Sequence, residues 1–172
     1  MSKIVIVGGV AGGATAAARL RRLDEKAEII VIERTGFVSY ANCGLPYYVG
    51  GVIEDQDDLT LQSPQSFFSR FNIDVRVSSE VTSIDRANKT VTVFSFDEGR
   101  EYMESYDKLI LSPGAKAMIP DTPGVYSDRV LTLRTVEDAL KMRELIEEEH
   151  PERAVVVGGG FIGLERSEER RV

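Results

Sequence analysis

The chain has 172 residues, 21 Lys and Arg against 28 Asp and Glu, a formal net charge of −7, one Cys, one His and no Trp. With 42% hydrophobic and 28% charged residues it carries enough apolar material for an ordinary core, which excludes wholesale disorder. The acidic balance argues against nucleic-acid and membrane-surface partners, and a single Cys excludes a disulfide framework and a closed Cys-based zinc site.

The first apolar run, Ile4 to Val7, is too short for a signal peptide or a spanning helix. A reducing, cytoplasmic setting is therefore expected, in which a lone Cys raises the question of reactivity. Residues 3–7 form a β-branched run stopped by Gly8-Gly9, the pattern of a strand covered on both faces. A small-residue helix is predicted from about Gly12 to Leu23, and residues 28–33 give a second buried strand. Strand, glycine turn, helix and strand within about 30 residues make one βαβ unit. The stripe Ala16, Leu20 and Leu23 is expected to face the sheet.

Residues 34–51 read as a loop, with Gly36, Gly44, Pro46, Gly50 and Gly51. A short helix from Pro64 to Arg70 is predicted, with Ser63 as its cap. The segments 81–85, 89–96 and 100–107 alternate apolar with polar, which predicts an antiparallel meander, and Arg86-Ala-Asn-Lys89 supplies a tight turn. Lys108 to Leu111 returns to a buried strand before Ser112-Pro113-Gly114-Ala115. Thr135 caps a helix to about Glu149, with Asp138 closing a short-armed capping box. His150 then reads as a surface helix end. Ala154 to Val157 is predicted to be a further buried strand, entering Gly158-Gly-Gly-Phe-Ile-Gly163.

Two glycine turns thus follow two apolar runs, a weak internal repeat. A dinucleotide turn needs glycines because a bend without Cβ lets a pyrophosphate approach backbone N–H groups at a helix N-terminus. The first turn, Gly8-Gly9-Val10-Ala11-Gly12-Gly13, holds Val10 at the middle required position, and Glu33 lies 20 residues after Gly13, where a ribose-binding acid belongs. The second places Gly158, Gly160 and Gly163 at ideal spacing, yet the chain continues for only nine residues and supplies no following strand or acid. By itself this half-motif is not expected to bind a nicotinamide dinucleotide.

Cys43 lies in Ser39-Tyr-Ala-Asn-Cys-Gly-Leu-Pro-Tyr47, ten residues past Glu33, with loop-forming neighbours instead of an apolar core run. On the first helix Thr15, Arg19 and Arg22 are spaced i, i+4, i+7. Such a stripe suits a phosphate-bearing ligand as well as it suits a solvated face.

On the stretches 39–47 and 8–14 the chain resembles the N-terminal part of the single-cysteine, flavin-dependent pyridine nucleotide-disulfide oxidoreductases, above all the coenzyme A-disulfide and coenzyme A-persulfide reductases. The resemblance implies an α/β fold: an incomplete Rossmann-like FAD-binding βαβ with an antiparallel β-meander insertion over residues 1–150. It also implies the start of an NAD(P)-binding domain over 151–165, at Gly158, Gly160 and Gly163, and a non-family tail over 166–172. Gly8, Gly9, Val10, Ala11, Gly12 and Gly13 would hold the FAD pyrophosphate and Glu33 its adenosine ribose. Arg34, Asn42, Val81, Ser112 and Gly114 would complete the cofactor site. Cys43 would be the redox thiol beside the flavin, attacking as the thiolate that an electropositive flavin site favours. Thr15, Arg19, Arg22, Ser39 and Asn42 match positions that hold coenzyme A. NAD(P)H would be the reductant in the complete protein, no metal is expected, and full-length relatives imply a homodimer.

Two alternatives stand beside this. Oxidase- and peroxidase-type relatives use the same Cys as a sulfenic acid, but the peroxidase type carries His where this chain has Ala11. A folded, non-enzymatic fragment is the other. The polar run Arg166-Ser-Glu-Glu-Arg-Arg departs from the apolar stripe a second βαβ helix needs, as a shifted reading frame or a truncation would produce.

Overall fold

The computed structural model describes residues 1–161 and 163. The expected tail over 166–172 lies outside the described residues. The chain divides into two compact units, Met1–Tyr40 with Thr60–Gly114, and Ala41–Leu59 with Ala115–Val172.

The first unit is built on a four-stranded parallel sheet in the order β3 (Asp74–Arg76), β2 (Glu28–Ile32), β1 (Lys3–Val7) and β7 (Lys108–Leu111). Strand β1 lies between β2 and β7, with Val5 opposite both Ile30 and Leu109. The side-chain period of two explains why the apolar runs are continuous. Ile4, Ile6, Ile29 and Val31 face a cluster with Ala14, Ala17, Phe67 and Ile73, whereas Val5, Ile30 and Ile32 face Val91 and Val93. Both faces are covered, one by helices and the other by the meander.

Helix α1 (Ala11–Leu23) buries Gly13, Ala14 and Ala17, small residues that let its backbone come close to the sheet. Of the expected stripe, Ala16 and Leu20 are partly buried and pack against the cluster around Ile4 and Ile6, and the correction falls on Leu23, which is 65% exposed. The last turn is held by Arg21, which donates to the Phe71, Asn72 and Glu25 carbonyls at 2.7 Å each. Strand β3 (Asp74–Arg76) was not legible because Asp-Val-Arg has no apolar run; it pairs at the sheet edge with Ile30 to Ile32.

The meander appears as predicted, as β4 (Ser79–Asp85), β5 (Thr90–Ser95) and β6 (Arg100–Ser105) in antiparallel order. An ionic network ties β6 to the parallel sheet. Glu104 accepts from Lys3 and Arg76 at 2.6 Å each, and Arg76 also reaches Asp74 at 2.8 Å. Helix α3 (Pro64–Phe71) starts at the expected cap, where Ser63 and Ser66 form a reciprocal capping box.

In the second unit, residues 42–44 form a 3₁₀ turn that runs into α2 (Leu45–Gly50). The expected loop over 34–51 is corrected there. Pro46 sits in the first turn of α2, where its missing N–H has no intrahelical partner to lose, and Gly51 ends the helix in the left-handed region. Helix α4 (Val136–Glu149) packs on α2 and carries the predicted Thr135–Asp138 capping box. Arg143 of α4 donates to the Tyr48 carbonyl at 2.9 Å and lies over the Tyr48 ring. His150 ends α4 with φ +46° and is exposed, as expected of a surface helix end.

The strand predicted at 154–157 is not formed. Val155 and Val157 are 87% and 90% exposed, and no strand pairs with the segment among the described residues. An apolar run becomes a strand only where neighbouring strands satisfy its backbone and cover its side chains.

Candidate functional site: the first glycine turn and the cysteine turn

In the first unit, the chain leaves β1 at Gly8, whose φ of +97° requires a residue without Cβ strain. A Cβ at Gly8 would collide with the Ser112 carbonyl oxygen, and one at Gly13 with the Gly8 carbonyl. At Gly12 it would stand 3.2 Å from Ser112 Oγ. The turn therefore folds back on itself and on the residue after β7, and it delivers the start of α1 to the ends of the central strands. Val10 is the N-cap residue, with no capping side chain and no acid in the first helical turn. The helix dipole and leading N–H groups are thus left to a ligand or solvent. Val at the middle motif position is compatible with this, since its backbone alone begins the helix.

Glu33 follows β2 and is only 7% exposed. Its Oε2 accepts from the Gly9 N–H at 2.7 Å, while its Oε1 accepts from the Thr35 N–H at 3.0 Å and the Thr35 hydroxyl at 2.9 Å. The expected acid and the glycine turn are thereby joined directly. Oε2 retains acceptor capacity that a sugar diol could use. Thr35 was missed in the sequence; its only signal is a hydroxyl two residues beyond the acid. Ser39, at φ +52°, donates its N–H to the Gly9 carbonyl at 2.9 Å, so it too is brought to the turn.

The other expected residues are more scattered. Arg34 points to solvent and pairs with Glu80 at 3.8 Å, one residue before the half-buried Val81 on β4. Gly114 has φ +70° beyond Ser112. Thr15, Arg19 and Arg22 are all exposed on α1, and Arg22 Nε donates to the Ala18 carbonyl of its own helix at 3.2 Å.

In the second unit, Cys43 is exposed at the centre of the 3₁₀ turn, between exposed Asn42 and buried Gly44. A Cβ at Gly44 would meet Ile53 and Leu59 at 3.4 Å, an ordinary packing contact. Asn42 Oδ1 accepts from Arg134 Nη1 at 2.6 Å. Arg134 was not singled out in the sequence, because 92 residues separate the pair.

The second glycine turn keeps local features of the first: Gly158 has φ +116°, and a Cβ at Gly163 would collide with the Gly158 carbonyl. Around Gly158, Gly159 and Gly160, however, nothing lies within 4 Å of an added Cβ. Among the described residues no helix is long and apolar enough to cross a membrane, and no group of three or more His, Cys, Asp or Glu could hold a metal.

A parallel sheet that delivers a glycine turn and a buried acid to one helix N-terminus defines a dinucleotide-binding fold. The chain belongs to the pyridine nucleotide-disulphide oxidoreductase family, whose sequence pattern matches residues 2–171. It is 46% identical over 165 residues to a coenzyme A disulfide reductase of Staphylococcus epidermidis, covering 96% of this chain and 37% of that protein. The crystal structure of reduced Bacillus anthracis CoADR-RHD is similar with a TM-score of 0.96 and 50% identity, covering 98% of this chain and 30% of the other. An NAD-dependent persulfide reductase from A. fulgidus is similar with a TM-score of 0.91 and 40% identity, over 97% of this chain and 31% of the other. The chain thus spans little more than a third of the length of the curated relative it matches.

Proposed function

We propose that this chain is the FAD-binding portion of a reductase that takes electrons from NAD(P)H and uses Cys43 to reduce a coenzyme A disulfide or persulfide. The observation that carries the reading is the exposed Cys43 in its 3₁₀ turn, in a chain 46% identical to a coenzyme A disulfide reductase. The glycine cradle and Glu33 support the cofactor part. Gly8 and Gly13 let the turn close on Ser112 and on itself at the start of α1, where leading N–H groups would receive a pyrophosphate, and Glu33 offers acceptor oxygens to the adenosine ribose. FAD, when bound, supplies the two electrons that regenerate the thiol.

The remaining chemistry belongs to the chain's own residues. The Cys43 thiolate attacks one sulfur of the substrate disulfide, so that a Cys43–sulfur bond forms as the substrate S–S bond breaks. The departing half leaves as a thiolate and takes a proton. Two electrons and a proton then cleave the mixed disulfide, releasing the second thiol and restoring Cys43. Thr15, Arg19, Arg22 and Ser39 are proposed to hold the phosphate-rich part of coenzyme A, which the exposed cationic stripe suits in charge. In the longer protein, residues 151–165 would open the NAD(P)H site.

The test is intact-mass analysis after incubation with coenzyme A disulfide. One coenzyme A per chain is expected, removable by a reductant and absent in Cys43→Ser. No adduct, or an adduct that survives Cys43→Ser, would contradict the reading. After hydrogen peroxide, a gain of one oxygen at Cys43 in place of the coenzyme A adduct would move it to a sulfenic-acid oxidase or peroxidase.

A further inference from the structure

We infer that Arg134 is a positioning residue for Asn42, and through it for the donors presented beside Cys43. A guanidinium has five N–H donors and no acceptor. The Asn42 carboxamide can therefore meet Arg134 only through its oxygen, as the 2.6 Å bond from Nη1 to Oδ1 records. Its NH₂ end is turned away from Arg134, with its two N–H bonds directed elsewhere. Without the arginine, the two ends of the amide differ little in shape, and the group can present either an acceptor or a donor.

Arg134 is itself held in place. Its Nε donates to the Ala115 carbonyl at 3.2 Å, and its backbone N–H donates to Asp138 Oδ2 at 2.8 Å. Asp138 is the carboxylate of the α4 capping box and also accepts from the Thr135 N–H at 3.1 Å. A line of polar contacts thus runs from the helix cap through Arg134 to Asn42, the residue before the thiol. The sequence marks its two ends, the cap and Asn42, without joining them. Such an Asn42 selects for an acceptor-rich ligand, of which the carbonyl and phosphate oxygens of coenzyme A are one case. This last point rests on the function proposed above; the orientation of Asn42 does not.

The experiment has two arms on the full 172-residue chain. In the first, the Asn42 carboxamide signals of the ¹⁵N-labelled protein are assigned through Asn42→Ala and followed in Arg134→Ala and Arg134→Lys. The pair should shift and exchange faster with water in Arg134→Ala, and be partly restored by Lys. In the second, the rate of mixed-disulfide formation at Cys43 is compared for coenzyme A disulfide and for the neutral bis(2-hydroxyethyl) disulfide. Loss of one such hydrogen bond predicts a slowing of about three- to tenfold for coenzyme A disulfide in Arg134→Ala, and a smaller effect on the neutral probe. In an Asn42→Ala background, Arg134→Ala should add nothing. An equal further loss there would mean that Arg134 acts through its own charge, overturning the proposal, as would unmoved Asn42 signals. If the wild-type chain forms no adduct with coenzyme A disulfide, the reductase reading fails while the first arm still decides the role of Arg134. Should Arg134→Ala fail to fold by circular dichroism, Arg134→Lys carries both arms: a measurable change from wild type is then required.

Discussion

At Gly8 and at Gly158 the chain leaves an apolar run with a positive φ, and in both places the glycine five residues on packs its Cα against the first glycine's carbonyl. Beyond that the two turns differ. Gly8 follows a strand held between two others, under the Ser112 carbonyl, with Glu33 bonded to the next residue. Gly158 follows exposed valines, and no atom beyond its own chain neighbours lies within 4 Å of a Cβ added there. The difference teaches that local sequence is enough to shape the turn, whereas strand partners and the acid make it a cradle.

The largest expected effect comes from placing alanine at each first glycine. Gly8→Ala combines positive-φ strain with a backbone collision and should lower stability by about 3 kcal/mol or more. For a chain of this size that is a fall on the order of 10 °C in Tm. Gly158→Ala carries only local strain in an open segment and should leave the cooperative melt in place. Equal falls would break the comparison.

Next is Glu33→Gln, which puts an NH₂ group or an uncharged oxygen opposite the Gly9 and Thr35 donors. A loss of about 2 kcal/mol is expected by denaturant titration, together with weaker FAD uptake. Unchanged stability would mean that the buried carboxylate does not hold the turn.

The smallest effect concerns the network that joins the meander to the sheet bearing the first turn. Burial alone would raise the Glu104 pKa, but hydrogen bonds from Lys3 and Arg76, together with their charges, bring it below the usual carboxylate range. The hydrogen bond to Glu104 in turn raises the Lys3 pKa. A depressed carboxylate contributes stability above its unfolded pKa, about 4.3 for Glu, and loses it as pH falls through the lower folded value. A raised Lys contributes below about 10.4 and loses it as pH climbs through the folded value. Glu104→Gln should therefore cost about 1 kcal/mol near neutral pH, and the difference from wild type should shrink in acid. A difference that is flat down through the carboxylate range would remove Glu104 from the account.

Much of the fold was legible because the periods are clean: Ile4 to Val7 and Ile29 to Ile32 read as doubly covered strands, and Thr90 to Val93 alternates polar with apolar before Phe94 interrupts the pattern. The misses share a cause. Asp74–Arg76 is a strand by pairing alone, and Val155–Val157 fails to be one for want of partners; neither fact is local. On α1 the fully buried positions are the small residues Gly13, Ala14 and Ala17, with Leu20 packed partly beside them, and Leu23 lies beyond the sheet's cover. The turn at Gly8 and Gly13 and its acid Glu33 were readable from type and spacing, whereas a role for Cys43 came only from the resemblance. Thr35 and Arg134 were not readable, since their roles depend on a two-residue turn and on a contact across 92 positions.

The central claim is that the Gly8–Gly13 turn with Glu33 is a dinucleotide cradle. The most direct test is to mix the chain with FAD, remove free flavin by gel filtration, and record the visible spectrum of the protein peak. The account predicts a retained flavin band approaching one FAD per chain, diminished in Glu33→Gln. A protein peak without flavin, or one equally yellow in Glu33→Gln, would contradict it.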